Sequence, residues 1–191
     1  AFITEFTGLE PLGIMSLSAY AKKHTHDTEL FDIKLQKDWK PSLIKFSPDV
    51  MCYSITTGLE KKYLKLNREL KKEIKFISFF GGMHATFDPE FIKEESVDVL
   101  CRGEGEIQFA EMLNRLRENK NIADIKGLWV KKGNEIYRNE MIHWQHDLDY
   151  FPPPDRELLN KYKVYRKMTR RTVMTMRGWD IRHDRRNWEH V

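Results

Sequence analysis

Apolar residues in this chain recur with two alternating periods. Leu59, Tyr63, Leu66, Leu70 and Ile74 follow one another at intervals of four, three, four and four, with Lys61, Lys62, Lys65, Arg68 and Lys72 between them. This spacing predicts a helix with one apolar stripe and a charged outer surface. The run before it, residues 50–55, is almost wholly apolar, as expected of a strand covered by helices on both faces. The same alternation extends in both directions. Residues 2–6 predict a strand, and Ile14, Leu17 and Ala21 mark a helix over 12–23. A second strand over 26–33 and a short helix over 41–46 complete the half before residue 50. Residues 76–80 form the fourth strand, and Asp88-Pro89-Glu90 opens a short helix with an Asp cap and proline at its first position. Residues 97–101 form the fifth strand, followed by a helix marked by Phe109, Leu113 and Leu116. Five strands alternating with helices predict an α/β fold with a doubly wound parallel sheet.

The pattern changes after Asn119. Residues 128–130 and 135–138, separated by Lys131-Lys132-Gly133-Asn134, predict a hairpin around a Gly-Asn turn. Pro152-Pro153-Pro154 then favours extended backbone, and 172–176 reads as one isolated strand. The expected organisation is an α/β domain over 1–122, a β-hairpin extension over 123–142, a linker over 143–171, and, over 172–191, either the start of a truncated further domain or an unrelated tail.

At 191 residues and 40% hydrophobic, the chain suffices for one full core. Cys52 and Cys101 both lie in apolar runs, which suits buried thiols in a reducing, cytoplasmic compartment. No apolar run approaches the ~20 residues that span a bilayer, so no membrane partner is expected. From Lys161 onward, ten Lys/Arg face three acids, so with +4 overall the earlier part is net negative. Without a folded motif, this basic tail reads as solvated surface and not as a nucleic-acid site.

Two segments carry the candidate chemistry. Phe79-Phe80-Gly81-Gly82-Met83-His84-Ala85-Thr86 and Cys101-Arg102-Gly103-Glu104-Gly105-Glu106 each end a strand with glycines and open a helix. In an open α/β sheet, ligands bind beyond the carboxyl ends of the strands, where helix N-termini leave backbone N–H groups unpaired. Gly81 and Gly82 have no Cβ, so a ligand is expected to approach the backbone there, and valines at both positions are expected to fill the slot while leaving the fold intact. Ser54, Thr56 and Thr57 end the third strand with short hydroxyls, although Thr57 also suits a helix N-cap. The helix dipole alone suffices to place either Glu104 or Glu106 at a helix start. His84 stands at the ligand edge, whereas His24 and His26 precede the second strand and fall at the opposite one. His143 and His146 have a chelating spacing, but they adjoin the proline segment and have no third ligand nearby.

Taken in order, these segments resemble the cobalamin-binding domain that precedes the catalytic barrel of cobalamin-dependent radical SAM enzymes. The resemblance rests on Glu10-Pro11-Leu12-Gly13-Ile14, His26-Asp27, Ser47-Pro48-Asp49-Val50, the two glycine segments above, and Phe151-Pro152 with Pro154-Asp155-Arg156. Thr25 and Ala85 stand where that family usually has glycine and proline. The resemblance implies a flavodoxin-like (Rossmann-like) five-stranded sheet with a C-terminal hairpin and linker. It implies cobalamin as cofactor, held at the C-terminal edge of the sheet, with Ser54, Thr56, Thr57, Gly81, Gly82, His84, Thr86, Gly103, Glu104 and Gly105 as binding residues. It also implies cobalt carrying no protein histidine, since the Asp-x-His-x-x-Gly motif is replaced by Glu5-Phe6-Thr7-Gly8-Leu9-Glu10.

Such enzymes continue into a radical SAM domain that opens with Cys-x-x-x-Cys-x-x-Cys. Here Met174-Thr175-Met176-Arg177-Gly178 matches the approach, but Trp179-Asp180-Ile181-Arg182-His183 follows without a cysteine. A 4Fe-4S cluster and S-adenosylmethionine are therefore expected only in an intact parent enzyme, and no radical chemistry is expected from this polypeptide alone. The alternative is a flavodoxin-like FMN-binding domain, motivated by Thr4, Thr7 and Gly8 after the first strand. A phospho-acceptor receiver domain needs an aspartate where Ser54-Ile55-Thr56 stands, and a purely structural interaction domain needs no cofactor.

Overall fold

The computed structural model describes residues 1–142 and 147–162, and contacts divide the chain into Ala1–Asp155 and Arg156–Val191. The first unit contains β1 (Phe2–Thr4), α1 (Leu12–Lys23), β2 (Leu30–Asp32), α2 (Trp39–Phe46) and β3 (Val50–Ser54). It continues through α3 (Glu60–Lys71), β4 (Ile77–Gly81), α4 (Met83–Phe87), β5 (Val99–Cys101), α5 (Glu106–Arg117), β6 (Leu128–Lys132) and β7 (Glu135–Arg138). In the second unit, the described residues include one 3-10 turn, Arg156–Leu159.

The strands form one sheet in the order β2-β1-β3-β4-β5-β6-β7. The first five are parallel, in the flavodoxin-like order, and β1 and β3 stand side by side at the switch point. The hairpin expected after the fifth strand is present, and it continues the sheet. β6 runs antiparallel to β5, and β7 antiparallel to β6.

Strand register sorts the core into two sides. Ile3, Tyr53, Phe80, Leu100 and Trp129 are register partners on one side, where Tyr53 stacks on Phe80 at 4.5 Å and Phe91 meets Phe80 edge-on at 5.3 Å. Phe2, Cys52, Phe79 and Val99 are partners on the other, beneath Phe109 of α5, whose ring centroid lies 5.8 Å from Phe2 and 5.0 Å from Phe79. Among the described residues, no helix is long and apolar enough to cross a membrane.

Local details depart from the sequence expectation. Asp88 precedes a 3-10 turn, Pro89–Lys93, that does begin with proline, but its side chain makes no capping bond. Thr57 is not the cap of α3, which begins after Leu59. The buried stripe of α3 includes Asn67, whose amide donates to the Ser96 carbonyl at 2.6 Å, whereas Leu66 is only partly buried.

Helix α1 ends in paired bonds from Thr25 N–H to the Lys22 carbonyl (2.9 Å) and from His26 N–H to the Ala21 carbonyl (3.1 Å). This is the Schellman arrangement, which requires a left-handed residue at Thr25. Thr25 adopts φ 64°, a strained conformation for a β-branched side chain. Replacing Thr25 with Gly is expected to stabilise the protein by about 1 kcal/mol, the steric penalty relieved minus the added chain entropy. Thermal unfolding should show Tm rising by about 2–4 °C.

Candidate binding site at the carboxyl edge

The β4–α4 loop is built around close contact with the end of β3. Ile55 N–H donates to the Gly81 carbonyl at 2.8 Å, and His84 N–H donates to the Ile55 carbonyl at 3.1 Å. Gly82 lies between these bonds with φ 95°, and a Cβ there would stand 2.8 Å from the Ile55 carbonyl oxygen and 3.0 Å from its nitrogen. No side chain fits without moving backbone. Thr86 then joins the two glycine segments, because its hydroxyl donates to the Gly82 carbonyl at 3.0 Å and accepts Gly103 N–H at 3.0 Å.

Beside this knot, a cavity of about 190 Å³ opens between the sheet and the first turns of α1 and α5. Phe2, Cys52, Phe79 and Cys101 line it from the sheet, and Gly13, Ile14 and Leu17 line it from α1. The rim consists of Ser54, Gly81, Gly82, Gly103, Glu104 and Gly105, with Glu106 beside them. Gly105 is wedged between the walls, since a Cβ on it would meet Cys101 Sγ and Leu17 Cδ2 at 3.2 Å each. Burial raises the Glu106 carboxyl above its ordinary range. Burial also pushes the Cys52 and Cys101 thiols up to about 12, so both walls are uncharged at neutral pH.

Six of the ten residues expected from sequence therefore converge on one cavity: Ser54, Gly81, Gly82, Gly103, Glu104 and Gly105. The other four do not line it. Thr56 is exposed, Thr86 ties the rim together, and Thr57 Oγ1 lies 3.3 Å from His84 Nδ1. The His84 ring is buried edge-on against Phe91 at 5.3 Å, with Nε2 3.8 Å from Asp88. His26, by contrast, bonds to Asn114 at 2.9 Å. Sequence reasoning missed Gly13, Leu17, Cys52, Phe79 and Cys101 as cavity walls. For the three strand residues the signal was parity, because Cys52, Ser54, Phe79, Gly81 and Cys101 alternate onto one side of three neighbouring strands.

Among the described residues, no group of three or more His, Cys, Asp or Glu is arranged to hold a metal ion. His143, His146, His183 and His190 lie outside the described residues, as do the expected strand over 172–176 and the segment after Gly178.

A protein-family model described as the B12 binding domain matches residues 7–113, more than half of the chain. The chain belongs to the B12-binding domain family. The residues present fit the cofactor that family is named for, because an apolar slot walled by neutral thiols and phenyl rings opens onto a rim of exposed backbone. This B12-binding domain is 28% identical over 179 residues to an uncharacterized methyltransferase of Pyrococcus horikoshii, covering 88% of the chain and 38% of that protein. It is 34% identical over 94 residues to the cobalamin-dependent radical SAM methyltransferase TokK of Streptomyces tokunonensis, covering 46% of the chain and 14% of that protein. The chain thus spans well under half the length of these relatives.

Among solved structures, the cobalamin-dependent S-adenosylmethionine radical enzyme OxsB with aqua-cobalamin bound matches with TM-score 0.69 and 18% identity, over 83% of the chain and 24% of that protein. The radical S-adenosylmethionine methyltransferase TsrM of Kitasatospora setae, with cobalamin and a 4Fe-4S cluster bound, matches with TM-score 0.65 and 15% identity, over 80% of the chain and 30% of that protein. Those two likenesses show a shared fold. None of these matches points to a flavin.

The geometry corrects one sequence expectation about the glycine pair. A side chain at Gly82 strikes backbone, whereas a Cβ at Gly81 would stand at ordinary distances of 3.7 Å from Cys101 Cβ and 3.9 Å from the Phe79 ring, both cavity walls. Gly82→Ala should therefore destabilise the fold by about 1–3 kcal/mol, read as a lower Tm. Gly81→Val should keep Tm within a few degrees and fill the slot.

The cavity thiols give a pH dependence. Their folded-state values lie above the ordinary 9.0, so this part of the stability is complete below about pH 9 and lost as pH rises from there toward 12. Tm measured from pH 7 to 11 should fall more steeply above pH 9 in the parent chain than in a Cys52→Ala, Cys101→Ala variant.

Proposed function

We propose that this domain seats a corrinoid across the carboxyl edge of the sheet within a longer cobalamin-dependent radical SAM enzyme. The observation that carries the reading is the apolar cavity with its glycine rim, at the edge where doubly wound sheets receive ligands. In this reading, Phe2, Cys52, Phe79 and Cys101 offer apolar surface to the nucleotide arm. Gly81, Gly103 and Gly105 expose backbone to it, and Ser54, Thr56 and Thr57 offer hydroxyls to the amide side arms. Gly82, His84 and Thr86 support the reading as holders of the rim, since His84 bonds to Ile55 and Thr57, and Thr86 bonds to Gly82 and Gly103.

Bound cobalamin would supply the cobalt centre for the parent enzyme's chemistry. The chain's own residues bind it, orient it and keep water from its arm. The reaction, the cluster and S-adenosylmethionine belong in this reading to the radical SAM domain of the parent enzyme. Two buried thiols suit a cytoplasmic setting.

Mixing the purified chain with hydroxocobalamin and passing it through gel filtration tests the reading. Corrinoid absorbance should travel with the protein, and Gly81→Val should lose most of it while eluting at the same volume. A colourless protein peak would overturn the assignment.

A further inference from the structure

Helix α1 has two tasks. Gly13, Ile14 and Leu17 form a wall of the carboxyl-edge cavity. Other residues of the same helix hold the segment that ends the first unit. Asp155 N–H donates to the Met15 carbonyl at 3.0 Å, and the Asp155 carboxylate accepts from Ser18 Oγ at 2.6 Å and Lys22 Nζ at 2.8 Å. Ser18 is fully buried, and its hydroxyl also meets Thr28 Oγ1 at 2.6 Å. Five residues upstream, Tyr20 OH donates to Tyr150 OH at 3.0 Å, Phe151 packs edge-on against Tyr20 at 5.4 Å, and the Lys23 ammonium lies 5.1 Å from the centre of the Tyr150 ring. The proline-bearing segment is thus fastened at both ends to one helix.

The cavity end of that helix is weakly held by local forces. Pro11 makes no side-chain cap bond, and Leu12 and Gly13 are exposed in the first turn. A glycine and an absent cap both favour fraying there. The latch acts one turn further on, at Met15 and Ser18.

We propose that Asp155 is a positioning residue for the corrinoid site: by fastening the tyrosine–proline segment to α1, it holds the uncapped first turn of that helix in place as the cavity wall. The inference rests on the corrinoid reading above and adds a coupling to it. A ligand that needs the wall in place favours the latched segment, and the latched segment favours the ligand by the same factor.

The test uses the full chain with Asp155→Ala and Asp155→Asn, with hydroxocobalamin as probe. Two quantities are read: the dissociation constant by visible titration, and the rate of chymotryptic cleavage after Tyr150, identified by mass, with and without probe. The expected results for Asp155→Ala are about a fivefold or larger rise in Kd, at the low end of ordinary coupling, and faster cleavage. Hydroxocobalamin should slow cleavage of the parent chain. Asp155→Asn, which keeps an acceptor for Ser18 but loses the charge facing Lys22, should fall between. It carries the comparison if Asp155→Ala does not fold.

A latch that is only structural would lower Tm while leaving Kd and the probe's protection unchanged, and that result overturns the inference alone. If the parent chain binds no hydroxocobalamin, the corrinoid reading fails and this inference fails with it.

Discussion

The site depends on the approach of the β4–α4 loop to the end of β3. With only a hydrogen on Gly82, the loop comes close enough for Ile55 to bond on both sides of it, to the Gly81 carbonyl and from His84 N–H. These bonds aim the start of α4 across the edge of the sheet. From there Thr86 reaches Gly103, so the two glycine loops form one rim instead of two independent loops. Backbone groups otherwise left unpaired at the strand ends are satisfied from within, leaving the neighbouring apolar cavity open.

The two sides of the sheet are packed differently for a physical reason. On the α2 and α3 side, Tyr53, Phe80 and Phe91 fill the volume with stacked and edge-on rings. On the α1 and α5 side, small residues follow one another toward the carboxyl edge: Cys52 and Ser54 on β3, Gly81 on β4, Cys101 on β5. The register keeps these side by side, so their small volumes add into one hollow. A well-packed interior does not leave such space at random.

Much of this was legible from residues alone. Every parallel strand was marked by an apolar run, and the glycine segments pointed to the correct edge. Strand and helix bounds differed by a few residues, because apolar character extends beyond the hydrogen-bonded ladder: residues 26–33 shrank to Leu30–Asp32. Asn67 on the buried stripe of α3 and Thr25 in a left-handed turn were not legible, since each is accepted through a partner or backbone geometry set by the folded chain. In the site, rim residues were found through their glycines, whereas the walls needed strand register. The bonds by which His84 and Thr86 tie the loops together were set by the folded chain, and no motif marked them.

Joining the hairpin to β5 also affects how copies of this domain behave toward one another. An open parallel sheet ending at β5 would leave an apolar strand ready to recruit a foreign one. With β6 and β7 added, the outermost strand among the described residues instead presents Glu135, Tyr137 and Arg138 to solvent, and the opposite edge there is the three-residue β2. Brief or charged borders of this kind discourage strand exchange between chains, so the domain can carry a long apolar sheet without inviting aggregation.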